Sequence, residues 1–440
     1  MRNFLKLFFA EDNDARVLQA AGILRFVLVF LQGVILVKAG VDLELVGQIE
    51  LIFFLINFLI FYLENGGRNA MISWVPTDPE GFNERLGAAF GAMHLLGLIA
   101  AALVIGFLSL PNAPGYTFLQ GGSAPIFMAV IVLTSVPVSI LSYNYQLTGR
   151  RQRILPWIGF SFLLQLCAVV IPVLQGKGII DVLMWLSVVT SARWLFALLD
   201  GKWFTNGSSG LKGSLLFLGF ALPLIFHALN SGLMDYIDGW IVSGYFGEDM
   251  FARYRYGARE LPVNALLIGG LMSGLIPVFS KAGVVNAEKV KSETNRLIRT
   301  ILPANCLLLL VSPLLYELVY SDEFIISARI FNVYALTLIS RVIIGQVYLY
   351  VYRKTWVLAL STLGEILLNI LLSLLFLNYF GLMGIPFATV VAFAVHKVFI
   401  ILYVGKSINQ PLKAYVPLKE YIIASIMLLV SFSLAEFIYF

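Results

Sequence analysis

Along this chain, apolar runs of about twenty residues follow one another with short polar breaks, and each is long enough to cross a bilayer as a helix. They fall at 16–38, 45–65, 86–110, 125–147, 154–174 and 179–199, then at 214–243, 256–279, 297–320, 326–350, 355–378 and 383–404, with a last run at 420–439. Residues are 60% hydrophobic and only 12% charged, where a soluble domain carries about 25% charged residues. The expected fold class is therefore an all-α polytopic membrane protein. Residues 201–213, rich in Gly and Ser with Lys202 and Lys212, separate two sets of six runs of similar length, a layout that suggests a repeated half. The expected domains are an N-terminal six-helix lobe over 1–200, a cytoplasmic linker over 201–213, a C-terminal six-helix lobe over 214–405 and an appended helix within 406–440.

Basic residues alternate between loops. Arg2, Lys6 and Arg16 precede or open the first run, Arg68 and Arg85 follow the second, and Arg150, Arg151 and Arg153 follow the fourth. Lys202 and Lys212 follow the sixth, Lys281, Lys289, Lys291, Arg296 and Arg299 the eighth, Arg353 and Lys354 the tenth, and Lys406, Lys413 and Lys419 the twelfth. The intervening loops are poor in Lys and Arg, apart from Arg253, Arg255 and Arg259. Positive loops stay inside, so the N-terminus is expected in the cytoplasm. The net charge of +5 then reports cytoplasmic loops facing anionic headgroups, not nucleic acid. Residues 1–11 lack a signal-peptide pattern and read as a short interfacial helix with Phe4, Leu7 and Phe8 toward lipid.

The loops leave no room for an extramembrane catalytic, nucleotide-binding or receptor domain. No GxxxxGK[ST] loop occurs, so ATP is not the direct energy source. With no HExxH and no exposed Ser/His/Asp cluster, an enzyme is not expected. Cys167 and Cys306 lie inside apolar runs without metal-ligand spacing and read as small packed hydrophobes. No metal or cofactor is expected beyond a coupling proton or sodium ion.

Within the first run stands Arg25, nine residues past Arg16 and so about 14 Å along the helix. A guanidinium at that depth costs on the order of 3 kcal/mol and cannot escape by losing its proton. It must face protein or a wet cavity, either as an anchor for an anionic substrate or as half of a structural ion pair. Other runs carry polar residues at helical spacing. The second has Glu50, Asn57 and Glu64, continued by Arg68. The fourth has Ser135, Ser139, Ser142 and Gln146, and the seventh His227, Ser231, Asp235 and Asp238. The tenth has Tyr334, Thr337, Arg341, Gly345, Tyr348 and Tyr352, and the eleventh Ser361, Glu365, Asn369 and Ser373. The third offers His94, and the twelfth His396 and Lys397. Glu64, Arg68, Asp238 and Lys397, nearer the run ends, are candidates for reaching water along the helix. Ionisable groups at such depth avoid lipid, so the stripes are expected to face one another. Arginines among tyrosines and amides suit a phosphate-bearing, sugar-bearing substrate, with Arg25, Arg341, Glu64, Asn57 and Tyr348 as candidate contacts. Asp235, Asp238, Glu365 and His94 are candidates for carrying a coupling ion.

The segment Thr362 to Ala392, with Asn369 followed by Tyr379-Phe-Gly-Leu-Met-Gly384 and Ala388-Thr389, resembles the eleventh-to-twelfth span junction of the polysaccharide flippases in the multidrug/oligosaccharidyl-lipid/polysaccharide exporter superfamily. Leu275-Ile-Pro-Val-Phe-Ser-Lys281 and Gly66-Gly-Arg-Asn-Ala70 are similar to further segments of that family. The resemblance implies two six-helix bundles meeting in a V, with a central polar cavity lined by spans one, two, seven and eight, and alternating access by rocking of the halves. It also implies arginines on spans one and eight that hold the pyrophosphate of an undecaprenyl-linked oligosaccharide. Arg25 matches the first, and Arg255 and Arg259, at i,i+4 spacing, are candidates for the second. A single mid-span arginine on span one is more like the O-antigen or capsule-unit branch than the peptidoglycan-precursor branch. The partners so implied are the lipid-linked oligosaccharide, membrane lipids and a polysaccharide polymerase or chain-length protein, in a bacterial inner membrane. The competing readings are a multidrug or metabolite cation antiporter of the same superfamily and a membrane-embedded polysaccharide polymerase or ligase.

Overall fold

The computed structural model describes residues 13–201, 210–259 and 262–440. The expected interfacial helix over 1–11 and most of the 201–213 linker lie outside the described residues. The chain is all helical: among the described residues no strand occurs. In order the helices are α1 (Asn13–Lys38), α2 (Leu43–Trp74), α3 (Phe82–Leu108), α4 (Ala124–Ser139), α5 (Leu141–Leu147), α6 (Ile154–Leu174), α7 (Ile179–Asp200), α8 (Gly210–Gly232) and α9 (Met234–Tyr245). Then come α10 (Glu248–Gly257), α11 (Pro262–Ala282), α12 (Ala287–Val319), α13 (Ile325–Ala335), α14 (Thr337–Arg341), α15 (Gln346–Val351), α16 (Thr355–Phe380), α17 (Gly384–Ser407), α18 (Leu412–Tyr415) and α19 (Leu418–Tyr439).

Eleven segments of the described residues are long and apolar enough to cross a membrane. One of them, Thr355–Ser407, is α16 and α17 joined by a single tight turn, and the shorter Leu267–Ala282 lies in α11. On that reckoning each of the thirteen expected runs has a helix. Large apolar side chains such as Leu103, Ile126, Val188 and Leu371 stand outward on these helices, 60% to 65% exposed. Lipid is the solvent that such faces fit.

By packing, the chain divides into two compact units, one of residues 1–239 with 243–252 and the other of 240–242 with 253–440. The packing boundary thus falls near residue 252, later in the chain than the linker. In the first unit α8 lies hard against α2. A Cβ on Gly66 would stand 2.4 Å from the Cα of Ile225, so the Gly-rich exit from span two lets two backbones touch, the close approach that small residues permit between membrane helices.

Four expected spans are interrupted. The fourth breaks at Ile140, between α4 and α5. The seventh breaks at Leu233, between α8 and α9. The eighth breaks after Gly257, where an added Cβ would meet the Ser327 carbonyl oxygen at 2.4 Å, and the chain re-enters a helix at Pro262, a residue suited to the first helical position. The tenth breaks at 342–345. There the ammonium of Lys397 donates to the Ile343 carbonyl at 2.7 Å and to Gln346 Oε1 at 3.0 Å, substituting for helix hydrogen bonds that the break gives up. The turn between α16 and α17 needs its glycines. Gly381 has φ +55°, and a Cβ on Gly384 would lie 2.4 Å from the Phe376 carbonyl carbon. In the second unit α19 is tied by Arg329, whose guanidinium donates to Glu436 at 3.0 and 3.1 Å, and by Tyr421, which donates to the Ile339 carbonyl at 3.2 Å.

Candidate substrate site

Five helices of the first unit bring a cationic cluster together. Arg25, midway along α1, stands 3.8 Å from Glu64 of α2, and its side chain remains 44% exposed. Its guanidinium lies over the ring of Phe162 on α6, 5.1 Å from the centroid. Arg193 of α7 lies over the same ring at 5.7 Å, within electrostatic reach of both Arg25 and Glu64. One helical turn beyond Glu64, Arg68 donates to the hydroxyl of Tyr143 on α5 at 3.3 Å and covers that ring at 5.4 Å. Three arginines therefore gather near one carboxylate, with Arg25 at ion-pair distance from it. Cation–π contacts hold guanidinium planes without neutralising them, which leaves the cluster about two positive charges in excess. An anion with several oxygens is the chemistry that such forks accept.

The stripe on α2 does not converge as a whole. Glu50 is buried fourteen residues before Glu64, about 21 Å along the helix, and Asn57 is half-buried between them. Only Glu64 and Arg68 belong to the cluster. His94 is held as a packing histidine. Its Nδ1 faces the Phe90 carbonyl at 2.9 Å, and Trp194 Nε1–H donates to its Nε2 at 2.7 Å. With Nε2 accepting, the proton sits on Nδ1 and both nitrogens are engaged, an arrangement that argues against ion carriage. Asp238 is buried, 5% exposed, rather than reaching water at a span end. Asp235 lies in α9 and Ser231 in α8, their side chains outside those described.

In the second unit Arg259 and Arg341 line a small cavity of about 20 Å³, with Asn264, Asn305, Tyr334 and Thr337. The two amides exchange hydrogen bonds at 3.2 Å each way. Arg259 lies over Tyr256 at 4.7 Å and Arg341 over Phe393 at 4.6 Å. Arg255 and Arg259 do not form the expected i,i+4 pair. Helix α10 stops at Gly257, Arg259 sits in the connection to α11, and Arg255 is not among the cavity's lining residues. Tyr348 also departs from expectation. It is fully buried against Tyr415 at 5.2 Å, within the apolar core that packs α15 on α17 and α18. Glu365 and Lys397 are both buried as well, 6% and 5% exposed, so Lys397 does not reach water along its helix.

Sequence reasoning passed over Arg193, Phe162 and Tyr143. Arg193 had a usable signal, since it lies fourteen residues into its run and is a second arginine at depth. The two rings had none, because aromatic residues in apolar runs look alike until the helices are packed.

No family model matches the chain, and no curated protein matches it. Solved structures do. The lipid II flippase MurJ in its inward closed conformation superposes with a TM-score of 0.68 at 18% identity, covering 96% of this chain and 92% of that one. An inward-facing MATE-family multidrug resistance transporter of the MOP superfamily gives 0.61 at 15% identity, covering 88% and 94%. A MOP superfamily transporter from Pyrococcus furiosus, described by the reverse polarity of its binding pocket, gives 0.56 at 16% identity, covering 93% and 98%. The chain has the fold of these transporters.

Proposed function

We propose that this protein is a flippase that moves an undecaprenyl-pyrophosphate-linked oligosaccharide from the cytoplasmic to the outer leaflet of a bacterial inner membrane by alternating access. The observation that carries the reading is the cluster of Arg25, Arg68 and Arg193 around the single carboxylate of Glu64, with Arg25 half exposed. Such a cluster takes up pyrophosphate oxygens in bidentate bonds, and Tyr143 and Phe162 offer flat faces beside it. The arginines Arg259 and Arg341, with the Asn264–Asn305 pair, supply a second set of anion and hydroxyl contacts in the other unit. Likeness to a lipid II flippase supports a lipid-linked substrate, and MATE structures recorded facing inward and outward support alternating access. The single mid-span arginine on α1 favours an O-antigen or capsule repeat unit over a peptidoglycan precursor as the cargo. A polysaccharide polymerase or chain-length protein is the partner that would receive it.

A cation antiporter is the competing reading, and the MATE likeness is what favours it. Against it stands the charge of the cluster, which repels a cation at close range. Binding of undecaprenyl pyrophosphate and of tetraphenylphosphonium to the purified protein separates the two. The flippase reading expects saturable binding of the first, lost in Arg25→Ala, and none of the second. Tetraphenylphosphonium binding alone would sink it.

A further inference from the structure

In the first unit, Arg193 takes its direction from the helix that carries it. Its Nε is buried and makes no hydrogen bond among the described residues, and its guanidinium rests on the ring of Phe162 at 5.7 Å. A ring face attracts a guanidinium without the fixed donor–acceptor geometry of a carboxylate fork. The rotation of α7 about its own axis therefore aims the side chain. Successive residues on a helix point about 100° apart, so Trp194 and Phe196 fall on either side of Arg193, at about +100° and −60°. Val188, Leu195 and Leu199 stand outward, 53% to 77% exposed. At the same spacing they lie about 120° to 160° away from Arg193. A rotation of α7 would carry the charge toward that apolar side, where lipid disfavours it.

Both flanks of Arg193 are held. Phe196 stacks on Trp157 of α6, with ring centroids 5.1 Å apart and planes 9° from parallel. On the other flank the hold is directional: Trp194 Nε1–H donates to His94 Nε2 of α3 at 2.7 Å. The imidazole is itself fixed. Its Nδ1 lies 2.9 Å from the Phe90 carbonyl, which only accepts, so Nδ1 carries the proton and Nε2 offers its lone pair to the indole. The Phe90 ring stands nearly perpendicular to the imidazole, 4.5 Å away. A flipped imidazole would present carbon atoms to both partners. An indole N–H left without an acceptor inside the helix packing is costly, so the bond resists rotation of α7 in either sense.

We infer that His94 is a positioning residue for the arginine cluster: by accepting the indole N–H of Trp194 it sets the rotation of α7 that lays Arg193 over Phe162, beside Arg25. This rests on the anion-binding reading above and adds to it a residue that acts through α7. The Trp194 indole and the Arg193 guanidinium are adjacent in sequence, so a bond at the first fixes the direction of the second.

Nitrogen-15 NMR of the full-length protein in detergent reads this geometry without substrate. The chain has seven tryptophans; the Trp194 indole signal is the one lost in Trp194→Phe, and the Arg193 Nε–H signal the one lost in Arg193→Met. The expected Trp194 indole proton is shifted downfield in the wild type and returns toward the ordinary range in His94→Leu. It stays downfield in His94→Gln, whose amide oxygen takes the place of Nε2. The Arg193 Nε–H should carry a ring-current shift that disappears in Phe162→Leu, changes in His94→Leu and is restored in His94→Gln. If the Arg193 signal is the same in the wild type and in His94→Leu, the proposal is overturned. The second arm measures undecaprenyl pyrophosphate affinity. His94→Leu should weaken it several-fold, and His94→Gln should recover most of the loss. In an Arg193→Met background His94→Leu should make no further difference, because residues that act as one unit are not additive. Equal losses in the two backgrounds would overturn the positioning role. Should the wild type not bind the probe at all, the flippase reading fails, while the Arg193 signal still judges His94. Should His94→Leu not fold, Trp194→Phe takes its place, read through the Arg193 signal and the binding arm.

Discussion

Arg25 and Glu64 face each other at 3.8 Å from neighbouring helices of one unit, yet the arginine side chain is 44% exposed and the glutamate 21%. A long, partly solvated pair of this kind contributes at most about 1 kcal/mol. It is too weak to account for a guanidinium placed mid-span at a cost of about 3 kcal/mol. Glu64 therefore reads as a placeholder that keeps Arg25 oriented while leaving its outer edge open.

That relationship distinguishes an anchor from a structural ion pair. Arg25→Ala should weaken undecaprenyl pyrophosphate binding by roughly 10- to 150-fold, the loss of charge-assisted bonds of about 1.5–3 kcal/mol, with membrane insertion intact. Arg25→Lys should recover only part of this, because a point charge replaces a fork. Glu64→Gln should tighten binding by about fivefold, since removing the competing carboxylate gives back about 1 kcal/mol. Isothermal titration of the three variants checks the set, and weaker binding in Glu64→Gln would show that the pair itself is the functional unit.

Phe162 orders two arginines at once, with Arg25 and Arg193 over its ring at 5.1 and 5.7 Å. Phe162→Leu keeps the bulk and removes the π face, so it should lower pyrophosphate affinity by a factor of about two to thirty, matching cation–π contacts of about 0.5–2 kcal/mol. Arg193→Met should cost at least as much. The same binding assay reads both, and an unchanged isotherm for Phe162→Leu would mean that the ring serves packing alone.

Gly66 tests the packing that places Glu64 and Arg68. A methyl group there meets the Cα and backbone nitrogen of Ile225 at 2.4 and 2.6 Å. Backbone atoms cannot rotate away, so Gly66→Ala should cost about 1–3 kcal/mol as an overpacked contact. Thermal unfolding in detergent should show a lower midpoint, whereas Gly219→Ala, where the added atom meets nothing within 4 Å, should not.

How far the sequence went depends on which interactions are periodic. Apolar runs and loop charges repeat along the chain, so thirteen helices were legible from the residues alone. Arg25 was legible as a charge at depth that needed a partner or a wet cavity, while Glu64 read as a charge near the end of its span. Helix breaks were not, because their causes lie elsewhere in the chain: Lys397 stabilises the break at Ile343 from a helix some fifty residues later, and Ser327 presses on Gly257. Hence the expected Arg255–Arg259 face dissolved when α10 ended between the two residues. Tyr348 failed for a related reason, since an i,i+7 position past a break no longer shares the face of Arg341. Arg193, fourteen residues into its run, was legible by its depth but was not singled out.

Orientation can be tested at the loop between α11 and α12. Val284 is 57% exposed there, and Lys281, Lys289 and Lys291 surround it in sequence. Positive charge of this density is expected to hold a short loop on the cytoplasmic side, and eight spans before it would put the N-terminus on that same side. Val284→Cys should react with a membrane-permeant maleimide in intact cells and resist a charged, impermeant one until the membrane is opened. The native thiols provide little background, since Cys306 is buried and Cys167 half-buried within apolar helices. Labelling by the impermeant reagent in intact cells would invert the topology. Arg150, Arg151 and Arg153 would then stand outside, and the proposed direction of lipid transport would lose its basis.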